Sequence, residues 1–280
     1  MKFGWWIVGI ALLSLAACAS IESQGDFTAG RQALIKGDSS TALAYFERVA
    51  SADPSYVTTY TVFRESIWTY IGRAQYSAGK LTDARQTFER ALSSVNDDHL
   101  ARLYLGLTLL RLPQPAIRSD AFTLQEVLYA LHEGIDPKRV AALARERGIA
   151  FDVTKESENQ LRNGGADSSL VDEIKKIRAE SLKKRSENLT AQGAKELSSA
   201  LAGLRDALDY AIANSTQGRF WDPSGEIRGQ IKSGLALLAA RDPDWPKVIS
   251  TGEWIGQTLE EEIDRARRDE AEDRRRNQTR

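Results

Sequence analysis

Along most of this chain the hydrophobic positions recur at helical spacing. Leu197, Leu201, Leu204, Leu208 and Ala211 alternate at intervals of four and three, the seam of a long helix predicted over about 179–214. Packing within the chain explains that seam more simply than a dimeric coiled coil. The next segment puts Ile227, Ile231, Leu235 and Leu238 on one face and Gly225, Gly229 and Ser233 on another, a small stripe expected to pack closely on a neighbouring helix. Residues 248–263 read as a last, partly buried helix carrying Trp254. Seven prolines and few β-branched runs point to a nearly all-α fold.

The most patterned stretch runs from Glu65 to Asp98. Trp68, Ile71 and Gly72 are followed by Gly79, then by Ala84, Phe88 and Ala91. Small residues at Gly72 and Ala84 let two helices cross closely. Phe88 and Ala91 share one helix face, and Gly79 stands where a left-handed residue ends a helix. The spacing resembles a tetratricopeptide repeat, a 34-residue helix–turn–helix with the pattern W-x2-L-G-x2-Y…A-x3-F. Gln75 stands in place of the tyrosine and Asn96 in place of the late proline.

Aligning Gly30 with Gly72 puts Gly37 on Gly79, Ala42 on Ala84 and Phe46 on Phe88, so residues 24–56 resemble an earlier repeat. The copies lie 42 residues apart, and an insertion near 57–63 is expected to lengthen the next helix. Gly106 follows Gly72 by 34 residues, so 100–112 reads as a third first helix, stopped by Pro113 and Pro115. The resemblance implies that Gly30, Ala42, Phe46, Trp68, Gly72, Ala84, Phe88 and Ala91 pack the hairpins. It also implies that Arg31, Leu34, Arg73, Tyr76 and Arg111 face a groove for a protein or peptide. Arg31 and Arg73 occupy equivalent places, which suits an acidic or C-terminal carboxylate ligand, simple solvation being the alternative.

A second internal similarity follows. Gly134-Ile135-Asp136 and Gly165-Ala166-Asp167 lie 31 residues apart, Val140 matches Val171, and Leu143 matches Ile174. Each aspartate is placed to cap a short helix. The segment between is similar to a small helical module of bacterial multidomain proteins, a spacer or docking unit.

At the start, Lys2 precedes an apolar or small run over 5–17 that ends in Leu15-Ala16-Ala17-Cys18. Thirteen residues fall short of the ~20 that span a bilayer, and the pattern is that of a secretory signal peptide. Its end resembles the lipobox of bacterial lipoproteins. That resemblance implies cleavage before Cys18, acylation of Cys18, and, with Ala19 and Ser20 following, the periplasmic face of the outer membrane in a diderm host. Cys18 is the single cysteine, so no intramolecular disulfide forms.

The net charge of −1 becomes −2 once residues 1–17 and their Lys2 are removed, without the basic stripe that nucleic acid requires. The two histidines, His99 and His132, are far apart, and no HExxH, GxSxG or CxxC spacing occurs. Neither an enzyme, a metal site nor a cofactor is expected. Paired acids such as Glu260 and Glu262 cannot be told from surface charge, and 260–280 reads as a solvated, fraying helix, a partner-binding tail being the alternative.

The expected organisation is all-α. A signal peptide (1–17) and a lipidated tether (18–25) lead into a short tetratricopeptide-like solenoid (26–115). A small helical module (116–180), a C-terminal helical region (181–259) and the charged tail (260–280) follow. The expected function is a membrane-anchored protein-interaction scaffold of a cell-envelope or secretion complex. The alternative is a lipoprotein receptor that binds a small ligand for an envelope transporter.

Overall fold

A computed structural model describes residues 23–60, 62–112, 121–214, 222 and 224–278. Cys18, Pro113, Pro115 and the signal-peptide run lie outside the described residues. Among the described residues the fold is all-α apart from one two-stranded hairpin and a lone bridge between Phe122 and Ile149. The order is α1 (23–35), α2 (Ser39–Ala52), β1 (Val57–Tyr60), β2 (Phe63–Ser66), α3 (Ile67–Ser77), α4 (Leu81–Ser94), α5 (His99–Arg111), α6 (Leu124–His132), α7 (Pro137–Arg147), α8 (Lys155–Asn163), α9 (Ser168–Asn214), α10 (Glu226–Leu238) and α11 (Trp245–Gln278). The chain divides into a first unit, Met1–Arg111 with Gln192–Arg280, and a second, Leu112–Ala191.

In the first unit α1–α2 and α3–α4 are hairpins closed in the same way. Gly37 and Gly79 take positive φ, which glycine adopts without a Cβ penalty. Asp38 N–H then donates to Ala33 C=O and Lys80 N–H to Gln75 C=O, the Schellman closure in both. A Cβ on Gly30 would lie 2.6 Å from the Phe46 ring, and one on Gly72 would lie 2.6 Å from the Phe88 ring. Ala42, Ala84 and Ala91 are fully buried beside these rings. Phe46 then meets Tyr70 of α3 at 5.3 Å, and Phe88 meets Tyr104 of α5 at 5.9 Å, so each hairpin passes an aromatic to the next helix.

Two elements depart from the sequence reading. The residues after α2 do not lengthen a helix; they pair as an antiparallel hairpin with Val57 opposite Ser66 and Tyr60 opposite Phe63. The run Val57-Thr58-Thr59-Tyr60 is β-branched and aromatic, which favours a pleated, half-buried strand. Ser66 ends it by capping α3, its hydroxyl accepting from Trp68 N–H. The partner of α5 is also distant in sequence. A Cβ on Gly106 would meet Leu197 at 2.7 Å and the Gly193 carbonyl at 3.0 Å, both on α9. Leu197, Leu201, Leu204, Leu208 and Ala211 are all buried, so the predicted seam is used within the chain.

The small stripe behaves otherwise than expected. A Cβ on Gly229 would find nothing within 4 Å, and α10 packs instead through Ile227, Ile231 and Gly234. The apolar face is the one that gains by burial. The boundary between the C-terminal region and the charged tail at residue 260 falls inside one helix, Trp245–Gln278.

The second unit is a doubled motif. Thr123 and Thr154, 31 residues apart, each form a capping box at the start of α6 and α8. Each helix ends in a glycine turn, with Ile135 N–H on Ala130 C=O and Ala166 N–H on Leu161 C=O. Asp136 and Asp167 cap the next helix through Lys138 N–H and Leu170 N–H. Val140, Val171 and Ile174 are fully buried, with Val127 and Leu161, in one apolar core.

Candidate functional site

The groove residues chosen from the sequence do come together, and helix α11 of the same chain lies on them. Gly252 and Gly256, one turn apart on α11, allow its backbone to approach α5. A Cβ on Gly252 would meet Leu107 at 2.8 Å, and one on Gly256 the Tyr104 hydroxyl at 2.7 Å. Glu253 Oε1 accepts from the Tyr76 hydroxyl at 2.5 Å and from Arg111 Nη1 at 2.9 Å. Two turns on, Glu260 Oε1 accepts from Arg31 Nε and Oε2 from Arg73 Nη1, each at 2.5 Å. Asp264 Oδ1 lies 2.7 Å from Arg31 Nη2, the nitrogen that also contacts Glu260. Arg267 donates to the Thr58 hydroxyl at 3.1 Å and lies over the Tyr60 ring, on the β-hairpin. Thus α11 crosses α5, α3, α1 and the β-hairpin in turn.

These contacts are desolvated. Arg73 retains 4% and Glu260 2% of their exposure, and Arg31 is likewise buried. The aromatic walls add cation–π contact, with Arg73 over Tyr104 and Tyr70 and Arg31 over Phe27 and Tyr70. Burial works against the charge of both arginines, and Glu260 together with the neighbouring tyrosines and acids outweighs it, so their pKa values rise. Burial also opposes ionisation of Glu260, and Arg73 and Arg31 overcome it and hold the pKa below the usual carboxylate value. Arg111 sits at the exposed end of the row. Leu34 is half-buried against the hairpin core, and beside it Ile35 is 39% exposed.

Two further acids lie under the arginines. Asp98 accepts from Ser66 N–H, the Thr69 hydroxyl and Ala101 N–H, tying β2, α3 and α5 together. Burial nevertheless pushes its pKa up to about 6. Glu65 on β2 is 4% exposed and hydrogen-bonded by Tyr70, while its Oε2 has no hydrogen-bond partner among the described residues. Burial first, then the nearby Glu260 and Asp98, push it up to about 8.

The sequence predicts a partly buried helix over 248–263, but not that it lies on Arg31, Arg73, Tyr76 and Arg111. Glu260 and Glu262 are not surface charge. Glu262 Oε1 accepts from Asp222 N–H at 2.8 Å, and the Asp222 carboxylate accepts from Ile227 N–H at the start of α10. The available signal was the seven-residue step from Glu253 to Glu260, which puts both on one helix face. Trp68, read as hairpin packing, is half-buried; its indole N–H donates to the Pro54 carbonyl and Arg90 covers its ring.

A cavity of about 190 Å³ adjoins the Arg73–Glu260 pair, lined by Leu34, Ile35, Ser77, Tyr104 and Gln257. No cluster of three or more potential metal ligands occurs among the described residues. No described helix is long and apolar enough to cross a membrane. No family model, curated protein or solved structure matches the chain.

Proposed function

We propose that the chain is a lipid-anchored, tetratricopeptide-like interaction scaffold of a bacterial cell envelope. In this reading acylated Cys18 tethers it to the periplasmic face of the outer membrane of a diderm host. The observation that carries the reading is the way α1, α3 and α5 jointly grip one helix through Arg31, Arg73, Tyr76 and Arg111. Arginine clusters recognise acidic motifs, and stacked helical repeats present concave faces to partners. Because α11 fills the middle of the groove, a partner docks at the lip α11 leaves open, where Leu34 and exposed Ile35 stand over the cavity. That cavity is below the ~300–1,000 Å³ of small-molecule sites; the small-ligand receptor, the second reading, would use the cavity of about 650 Å³ in the second unit, lined by Arg147, Ile177 and Lys184.

The test has two arms in cells. A clickable palmitate analogue should label wild type and leave Cys18→Ser unlabelled; no label on wild type removes the anchor. Crosslinking in native membranes should capture a defined protein with wild type and lose it with Ile35→Asp, an exposed position. Equal capture by both removes the proposed surface, and capture of no protein favours the small-ligand receptor.

A further inference from the structure

The cluster under α11 holds more acid than base. Glu65 (β2), Asp98 (before α5) and Glu260 (α11) are buried with Arg31 (α1) and Arg73 (α3), and Asp264 (α11) stands at the edge. Tyr70 and Tyr104 complete the surroundings. Both arginines are engaged by Glu260, and Asp98 has three donors of its own. Glu65 is left with the Tyr70 hydroxyl, an unpartnered Oε2, a like charge facing it, and the field of Arg73, which favours its ionised form but is outweighed by burial and the neighbouring acids. An ionised carboxylate so placed has no cation to itself, and burying one costs far more than burying the neutral acid.

We infer that Glu65 keeps its proton whenever α11 is seated, so that α11 is held by a proton as well as by Arg31 and Arg73 and loosens as the surroundings become alkaline. This goes beyond the scaffold reading and depends only on the groove's own groups. Releasing α11 takes away the Glu260 charge that faces Glu65 and frees Arg73 beside it, so Glu65 ionises below the value near 8 that it has with α11 seated and towards its ordinary 4.5. Between the released and the seated value the seated state holds a proton that the released state lacks, so seating weakens by up to about tenfold per pH unit. Asp98, at about 6, adds to the trend only in the lower part of that window. Glu260 acts oppositely and below it, since its pKa is depressed.

The experiment is hydrogen–deuterium exchange of the full chain at pH 6.5 and 8, corrected for intrinsic amide chemistry and read over 255–266. Wild type should open at least about tenfold more often at pH 8. Glu65→Gln, which keeps shape and removes the titration, should show no such change. Equal pH dependence in both proteins overturns the inference. Independently of any variant, the Glu65 side-chain carboxyl followed by carbon NMR in wild type should titrate near 8. Titration in the ordinary carboxylate range overturns it as well.

Discussion

The two units bury different chemistry. In the second, Val127, Val140, Leu161, Val171 and Ile174 close an apolar core, and Ser157 is the only buried polar side chain among its described residues. The first unit encloses Arg31, Arg73, Glu65, Asp98 and Glu260. Apolar burial is non-directional and tolerates small adjustments. A buried ion cluster holds only in one arrangement, because each removed partner strands a desolvated charge. The second unit is therefore specified by shape and the first by pairing.

The largest expected effect breaks the pairing. Arg73→Ala leaves Glu260 with Arg31 alone and should destabilise the first unit by about 3–5 kcal/mol. Amide exchange should rise across α3, α5 and α11 while α6–α8 keep their protection; uniform loss across both units would show that pairing is not confined to the first. Next, Val140→Ala and Val171→Ala should each cost about 2 kcal/mol. The two costs should match, because the two halves of the second unit repeat one motif, and denaturant midpoints report this.

A smaller effect of the same kind is expected in the hairpins. Gly30→Ala and Gly72→Ala press a Cβ onto Phe46 or Phe88 and should each cost about 1–3 kcal/mol, with a larger cost if the ring cannot move. The pH response sharpens the contrast further. Glu65, raised, contributes stability that is complete below about 4.5 and lost as pH climbs to about 8. Glu260, lowered, contributes stability that is complete above 4.5 and lost as pH falls through its folded pKa. Stability of the first unit should therefore peak on the acidic side of neutral, while melting curves of Glu65→Gln should flatten between pH 5 and 8. Smallest of all, Thr123→Ala and Thr154→Ala should each cost about 1 kcal/mol by loss of a helix cap.

What the sequence made legible follows the range of the interaction. The glycine turns at Gly37 and Gly79, and the pairs Gly30–Phe46 and Gly72–Phe88, lie within one hairpin, so spacing alone relates them. The doubling across Asp136 and Asp167 is equally local. The β-hairpin was hidden because a helical-repeat template left eight extra residues without a shape of their own. The candidate groove was legible only on one side. Arg31 and Arg73 stand out by equivalence, whereas Glu260 sits among Glu261, Glu262 and Asp264, and one-dimensional order does not say which acid is buried. Likewise Leu197 announces a buried face without naming Gly106 as the backbone it covers.

The Arg31–Glu260 contact joins residues 229 apart in the chain. Its consequence is one of timing. As the polypeptide emerges, α1–α4 can close on themselves, but the face of α5 that meets Leu197 stays uncovered until α9 arrives, and Arg31 and Arg73 beside Tyr70 lack their direct hydrogen-bonded acid until Glu260 does. Contacts of such separation form slowly, because a long loop must close before they give any return. The first unit is thus the first to begin and the last to finish. In the interval its arginine-lined face is exposed to any acidic segment nearby, so a C-terminal nonsense mutation should leave a protein with well-formed hairpins and a persistently open trough in which Arg31 and Arg73 lack their Glu260 partner.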